Sequence, residues 1–217
     1  MRIFAAARRK FNQPATAEDA KAGVALLKQA AELGSVGAHE WLGFVYNDGY
    51  GTRRNRRLAF QHYMAAAESG SAWGEYHVGV CFREGTGVPN DDRLAVLWLR
   101  RAAKHGDFTA LHVLGRAYRY GWGVPKNQRK GFELHLQAAK LGECEAQFSV
   151  GVCFSRGEGV VPDPKQAFRW YLRAAKRGHD DAAHNLGYFY EIGRGVRMNQ
   201  RKSEFWYARA RELGRRS

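Results

Sequence analysis

The stretch SAWGEYHVGVCFREGTGVPNDDRLAVLWLRRAAKHG, Ser71 to Gly106, decides the fold. Its first half sets Val78, Cys81 and Phe82 along one stripe. Its second half does the same with Leu94, Ala95, Trp98, Leu99, Ala102 and Ala103. Both follow the i, i+3, i+4 spacing of a helix with one buried face. Between them, Gly85-Thr86-Gly87-Val88-Pro89 is a turn that no helix would choose. The segment reads as two helices joined by a short connection.

The same punctuation returns every 36 residues. Gly34, Gly70, Gly106, Gly142, Gly178 and Gly214 form one ladder, and Gly43 to Gly187, Gly49 to Gly193 and Gly51 to Gly195 form three more, without insertion. A fixed period of this length marks a stacked array of hairpins, which builds an extended gripping surface rather than a reaction centre. Asn55, Asp91, Asn127, Asp163 and Asn199 open the helix after each turn, where an N-cap side chain satisfies free amides. Pro164 follows Asp163, at the first helical position, where proline is tolerated. Asp19 shares this phase, so an unpaired helix of the second type is expected at about 18–33. A short helix before it would carry Ile3, Phe4, Ala7 and Phe11 on one face. The Gly34 ladder is expected to end helices. The Gly43 ladder lies inside them, at a cost of about 1 kcal/mol each relative to alanine. Five such glycines in phase predict a neighbouring helix too close for a side chain. Glu204 and Arg211 replace apolar residues of the earlier copies, giving the last repeat a polar outer face. The expectation is one repeat domain over 1–217: five repeats across 35–214, a leading capping helix, and a frayed basic tail at Arg215-Arg216.

Composition narrows the function. Lys and Arg number 35 against 21 Asp and Glu, a net charge of +14, which favours acidic partners. No stretch approaches the roughly 18 apolar residues of a membrane helix. The apolar run Ile3 to Ala7 is too short for a secretory leader. Three cysteines, Cys81, Cys144 and Cys153, argue against a disulfide framework and for a cytoplasmic location. Cys81 and Cys153 share a repeat position with Val45, Ala117 and Phe189, so they read as small buried hydrophobes.

The run Ala110-Leu-His-Val-Leu114-Gly115-Arg-Ala-Tyr118-Arg-Tyr-Gly121-Trp-Gly123-Val124 resembles the Sel1-like repeat, a relative of the tetratricopeptide repeat. So do Ala182 to Val196 and the second-helix pattern Ala167 to Gly178, with its Trp170-Tyr171 and Ala174-Ala175. The resemblance implies an all-α fold, an α/α right-handed superhelical solenoid. It also implies a scaffold or adaptor role in protein assemblies; many relatives are bacterial, and some act as regulators or neutralise a toxin. Cysteine-rich members carry a regular cysteine pair in each repeat. Here repeat four alone has two cysteines, which puts export and repeat-wise disulfides in doubt.

In resembling arrays the first helix of each pair lines the concave face. Shared residues build such a scaffold, so repeat-specific ones on that face should carry recognition. The candidates are Tyr76, His112, Phe148 and His184, two before the repeat position held by Leu42, Val78, Leu114, Val150 and Leu186; Phe44, Arg116 and Tyr188, two after it; and Arg83, Arg119, Tyr120 and Arg156 beyond. They form an aromatic strip beside arginines, the residue types enriched at binding hot spots. An acidic segment bearing apolar anchors would fit them. Arg53-Arg54-x-Arg56-Arg57 reads as a solvated turn, or as a phosphate contact.

Chemistry-bearing motifs are missing. The Gly-x-Gly pairs do not continue as a phosphate loop, and there is no Cys-x-x-Cys. His179 and His184 are five apart, off the spacing that aims two ligands at one metal on a helix. Glu143 and Glu145 favour a helix N-terminus. No catalytic residue, metal ligand or cofactor is expected. The reading is a non-catalytic protein-interaction scaffold for an acidic or mixed protein or peptide, as a bacterial regulator or toxin-neutralising protein. The alternative is a basic repeat protein that binds nucleic acid.

Overall fold

The structure, a computed structural model, describes residues 2–12 and 16–214. Twelve α-helices run through them, and no strand occurs among the described residues. They are α1 (Arg2–Asn12), α2 (Ala17–Glu32), α3 (Val36–Asp48), α4 (Arg56–Glu68), α5 (Ala72–Glu84), α6 (Asp92–Lys104), α7 (Phe108–Tyr120), α8 (Gln128–Lys140), α9 (Cys144–Arg156), α10 (Pro164–Lys176), α11 (Asp180–Ile192) and α12 (Gln200–Gly214). The chain divides into two compact units, Met1–Ala110 and Leu111–Ser217. In unit 1, α1 packs on α2, α2 on α3, and α3·α4 and α5·α6 form hairpins that meet through α4 and α5. In unit 2, α9·α10 and α11·α12 are hairpins, with α8 against α9 and α10 against α11. Leu27, Leu42, Val45, Tyr63, Val78 and Cys81 centre the first core; Tyr171, Leu186 and Phe189 centre the cluster at the end of the second.

The five Asn and Asp caps act as predicted. Asn55 accepts the Leu58 amide at 3.0 Å, Asn127 that of Lys130 at 2.9 Å and Asn199 that of Lys202 at 2.9 Å. Asp91 and Asp163 each accept two amides. The first-type helices have caps of their own. Ser35, Ser71, Asp107, Glu143 and His179 each accept the amide three residues on. Glu143 thus serves its helix start, as expected.

The opening of the chain differs from the expectation. α2 is capped by Thr16, not Asp19: the Asp19 amide donates to Thr16 Oγ1 at 3.2 Å, and the hydroxyl donates back to the Asp19 carboxylate at 2.9 Å. This reciprocal pair starts the helix at Ala17, one residue before the expected 18. The short helix expected before it is present: α1 lies against α2, with Ala7 buried and Ile3 and Phe4 packed on the core. The Phe11 side chain and the Arg215-Arg216 tail lie outside the described residues. Gly214 does not end a helix as the other members of its ladder do; it belongs to α12.

The interior glycines have the predicted close neighbour, and it is the partner helix of the same hairpin. A Cβ on Gly115 would sit 2.6 Å from the His135 ring, one on Gly151 2.6 Å from Tyr171, and one on Gly187 2.7 Å from Tyr207. Gly43 meets Tyr63 and Gly79 meets Leu99 in the same way. One bulky side chain per hairpin lies flat on a bare stretch of backbone. In the turns, Gly87 has φ +77° and is seated against the Arg56 carbonyl at the start of α4.

Cys81 and Cys153 are buried and Cys144 half-buried, all three with free thiols. Burial pushes the Cys81 thiol up to about 12 and that of Cys153 to about 11, so neither forms a thiolate near neutrality. Glu204 and Arg211 of α12 are exposed, as expected of a terminal helix.

Candidate functional site

In unit 1, α3 and the start of α5 carry a group of rings. Phe44 is 41% exposed and meets Trp41 edge-on at 6.1 Å. Trp73 is 37% exposed and lies 3.9 Å from the His77 ring, with Tyr76 edge-on to His77 at 5.0 Å. Glu40, Trp41, Phe44 and Trp73 line a cleft of about 380 Å³. Ser71, the cap of α5, orients the Glu40 carboxylate by donating its hydroxyl at 2.5 Å. Arg83 is exposed, 3.6 Å from Asp92. Sequence reasoning placed Phe44, Tyr76 and Arg83 here but passed over Trp41 and Trp73. Trp73 had a signal: it is specific to its repeat and stands in the first turn of a first-type helix.

Two other clusters in unit 1 have structural work. Glu75 is fully buried, and its carboxylate accepts from Arg101 Nε at 3.1 Å and contacts His105 Nδ1 at 2.7 Å. That pairing ties the first turn of α5 to the last turn of α6 and compensates a charge that could not stay buried alone. His39 and His62 bring their Nδ1 atoms within 3.1 Å, and the His62 ring stacks on Tyr46. Burial first, then the charges of His39 and Lys28, hold His62 down to about 4.

In unit 2 the candidates separate into a surface set and a core set. Arg116, Tyr120 (59% exposed), Arg156, His184 and Tyr188 (43% exposed) face solvent. Arg119 does not stand open: its Nε pairs with Glu158, which also lies 3.8 Å from Arg156. Burial alone would lower the Arg119 guanidinium, but the Glu158 bond and charge outweigh it and raise it. Phe148 is half-buried between Tyr171 and His179, with centroids 5.8 and 4.3 Å away. His112 is a correction: it is 7% exposed and turned onto His135 at 4.9 Å, so it lines the core and not the surface. The facing position of α8 holds His135, and the two imidazoles pack ring to ring inside the hairpin. His184 lies 5.1 Å from Tyr207, and both border an open hollow of about 610 Å³ with Asp180, Asp181, Glu204 and Arg211.

What this arrangement can do is bind. Exposed guanidinium groups next to exposed rings take carboxylates and apolar side chains together. His179, Asp180 and Asp181 bring donor atoms within 4.8 Å of one another, but His179 Nδ1 accepts the Ala182 amide and both acids stand in the first turn of α11, where they favour the helix dipole. The basic run is exposed at Arg53 and Arg54 in the turn and at Arg56 and Arg57 in the first turn of α4, with Arg54 Nε donating to the Asn47 carbonyl at 2.8 Å. No described helix is long and apolar enough to cross a membrane.

The Sel1 repeat model matches residues 12–35, 37–71, 74–107, 109–143, 144–179 and 180–214. No curated protein matches the chain. The fold is similar to that of a Sel1 repeat protein from Oxalobacter formigenes, at 25% identity and TM-score 0.86, over 98% of this chain and 83% of that one. It is similar to a protective antigen present in uropathogenic Escherichia coli strains, at 28% identity and TM-score 0.87, over 98% of this chain but only 45% of the antigen's. An immunity protein from Pseudomonas aeruginosa shares the fold at 20% identity and TM-score 0.66, over 98% of this chain and 82% of its own.

Proposed function

The chain belongs to the Sel1 repeat family, and from that premise we propose that it is a non-catalytic scaffold that holds an acidic or mixed protein partner on the open face of its first-type helices. What carries the reading is the set Arg116, Tyr120, Arg156 and Tyr188. These are large, repeat-specific side chains left in solvent on α7, α9 and α11, while the shared positions of the same helices are buried. Exposed rings beside guanidinium groups are the composition of a hot spot waiting for a partner. A bacterial regulator and a toxin-neutralising protein are two forms of this role, and the identity of the captured protein separates them.

The test is affinity capture from lysate of the source cells at two salt concentrations, with and without nuclease. The wild-type chain is compared with a chain carrying Arg116→Glu and Arg156→Glu. One protein should survive nuclease treatment and fall about tenfold with the charge reversal. Arg119 is left alone, because reversing it would break its pair with Glu158. Capture unchanged by the reversal removes these arginines from the site. The exposed Arg53 to Arg57 run favours a second reading, nucleic-acid binding; loss of all captured material on nuclease treatment, with steep salt dependence, would establish it instead.

A further inference from the structure

The cleft on unit 1 has a chemistry that the net charge of +14 conceals. Its walls are three rings, Trp41, Phe44 and Trp73, and the single charged residue lining it is the carboxylate of Glu40. Two of the rings, Phe44 and Trp73, are partly open to water and line one cleft with Trp41, a clustered apolar patch of the kind that marks an interaction site. Glu40 is set in place. Ser71 Oγ accepts the Gly74 amide at 2.9 Å and donates to Glu40 Oε1, so the start of α5 fixes the carboxylate and leaves Oε2 for another donor. Two further carboxylates on the same helices, Asp48 and Glu84, are exposed. The only arginine among the unit 1 candidates, Arg83, lies beside Asp92.

Rings attract a cation through the negative charge of their faces and an alkyl chain through burial. A carboxylate among them supplies a charge-assisted acceptor. We propose that this cleft receives a lysine side chain of the protein partner, with the stem against Trp41, Phe44 and Trp73 and the ammonium on Glu40 Oε2. A volume of about 380 Å³ is at the lower end of ligand-sized sites and suits one long side chain. A purely apolar anchor is the competing occupant, and it would strand Glu40 against hydrocarbon. The partner being a protein rests on the function proposed above; the cation preference does not, and its test needs no partner.

The probe is n-butylammonium, which has the length and head of a lysine side chain, set against n-butanol, which has the same stem and a neutral head. Each is titrated into the full chain while the indole N–H signals of Trp41 and Trp73 are followed by NMR, assigned with Trp41→Phe and Trp73→Phe. Butylammonium should shift both signals at about tenfold lower concentration than butanol, the sum expected of a ring contact and an ion pair. Glu40→Gln should cut that preference to the smaller part the rings supply, because the amide carbonyl keeps the Ser71 hydrogen bond and the fold while the charge is gone. Equal response to the two probes, no response at these indoles, or a preference undiminished by Glu40→Gln each overturns the proposal. A failure here with intact nuclease-resistant capture leaves the scaffold standing, and the reverse pattern leaves the cation cleft standing.

Discussion

His135 is the residue whose setting departs furthest from its solution chemistry. It is fully buried, and neither ring nitrogen has a hydrogen-bond partner; His112 Nδ1, across a 4.9 Å gap, has none either. Burial, then the charges of His112, Arg119 and Arg116, push His135 down to about 3. Burial, then Arg116 and His179, push His112 down to about 4. Both folded values lie below the unfolded value of about 6.5. The unfolded chain therefore binds more protons once the pH drops below that value, and stability falls with pH until the folded values are reached. Between pH 6.5 and 5, where few carboxylates titrate, each histidine should cost up to about 2 kcal/mol. His135→Tyr restores the residue found at Tyr63, Tyr171 and Tyr207. Urea unfolding at pH 7 and pH 5 should show a smaller loss in this variant than in the wild type. An equal loss in both would mean that the pair takes up protons in the folded state as readily as in the unfolded chain, or that the acid sensitivity lies elsewhere.

At the scale of the element, each hairpin depends on a bare glycine beneath a bulky partner. Gly151→Ala sets a methyl 2.6 Å from the Tyr171 ring. Overpacking of this kind costs about 1–3 kcal/mol, which exceeds the roughly 1 kcal/mol that alanine contributes to a helix. Gly214→Ala, also helical, sets its methyl 3.3 Å from Asp180 Oδ2, the end of a flexible, half-exposed side chain that can give way. Thermal unfolding should fall for the first and hold or rise for the second; the same change in both would show that helix propensity alone governs these sites. The 36-residue period made such positions visible, because five copies of Gly43 or Asn55 average out the accidents of any single one. The first helix pair had no such averaging. Asp19 fell in phase and was read as a cap, while Thr16, just outside the period, formed the reciprocal bond that sets the start. The candidate site was legible only in part for the same reason. Recognition residues differ from copy to copy, so the period points to their helix and says nothing of a neighbour such as Glu158 beside Arg119 or His135 beside His112.

For the molecule as a whole, the net charge of +14 is unevenly spread over the helices. Unit 1 carries Glu40, Asp48 and Glu84 along α3 and α5, whereas unit 2 exposes Arg116 and Arg156 along α7 and α9. A charge sum cannot show this; helix phase and contacts can. Stability should be equally uneven, because a repeat array holds each helix by its immediate neighbours. Within unit 2, α10 buries Ala167, Trp170, Tyr171, Ala174 and Ala175, while α12 buries Ser203 and shows Glu204, Phe205 and Arg211 to water. Local opening takes least free energy where least apolar surface must be exposed. Native-state hydrogen exchange should therefore find the mid-helix amides of α12 exchanging well before those of α10, and the partly buried Trp206, Ala210 and Leu213 against the α10–α11 core should not be enough to close the difference. Amides of α12 that exchange as slowly as those of α10 would mean that the unit opens as one cooperative body, and that its last helix is held by more than its own buried side chains.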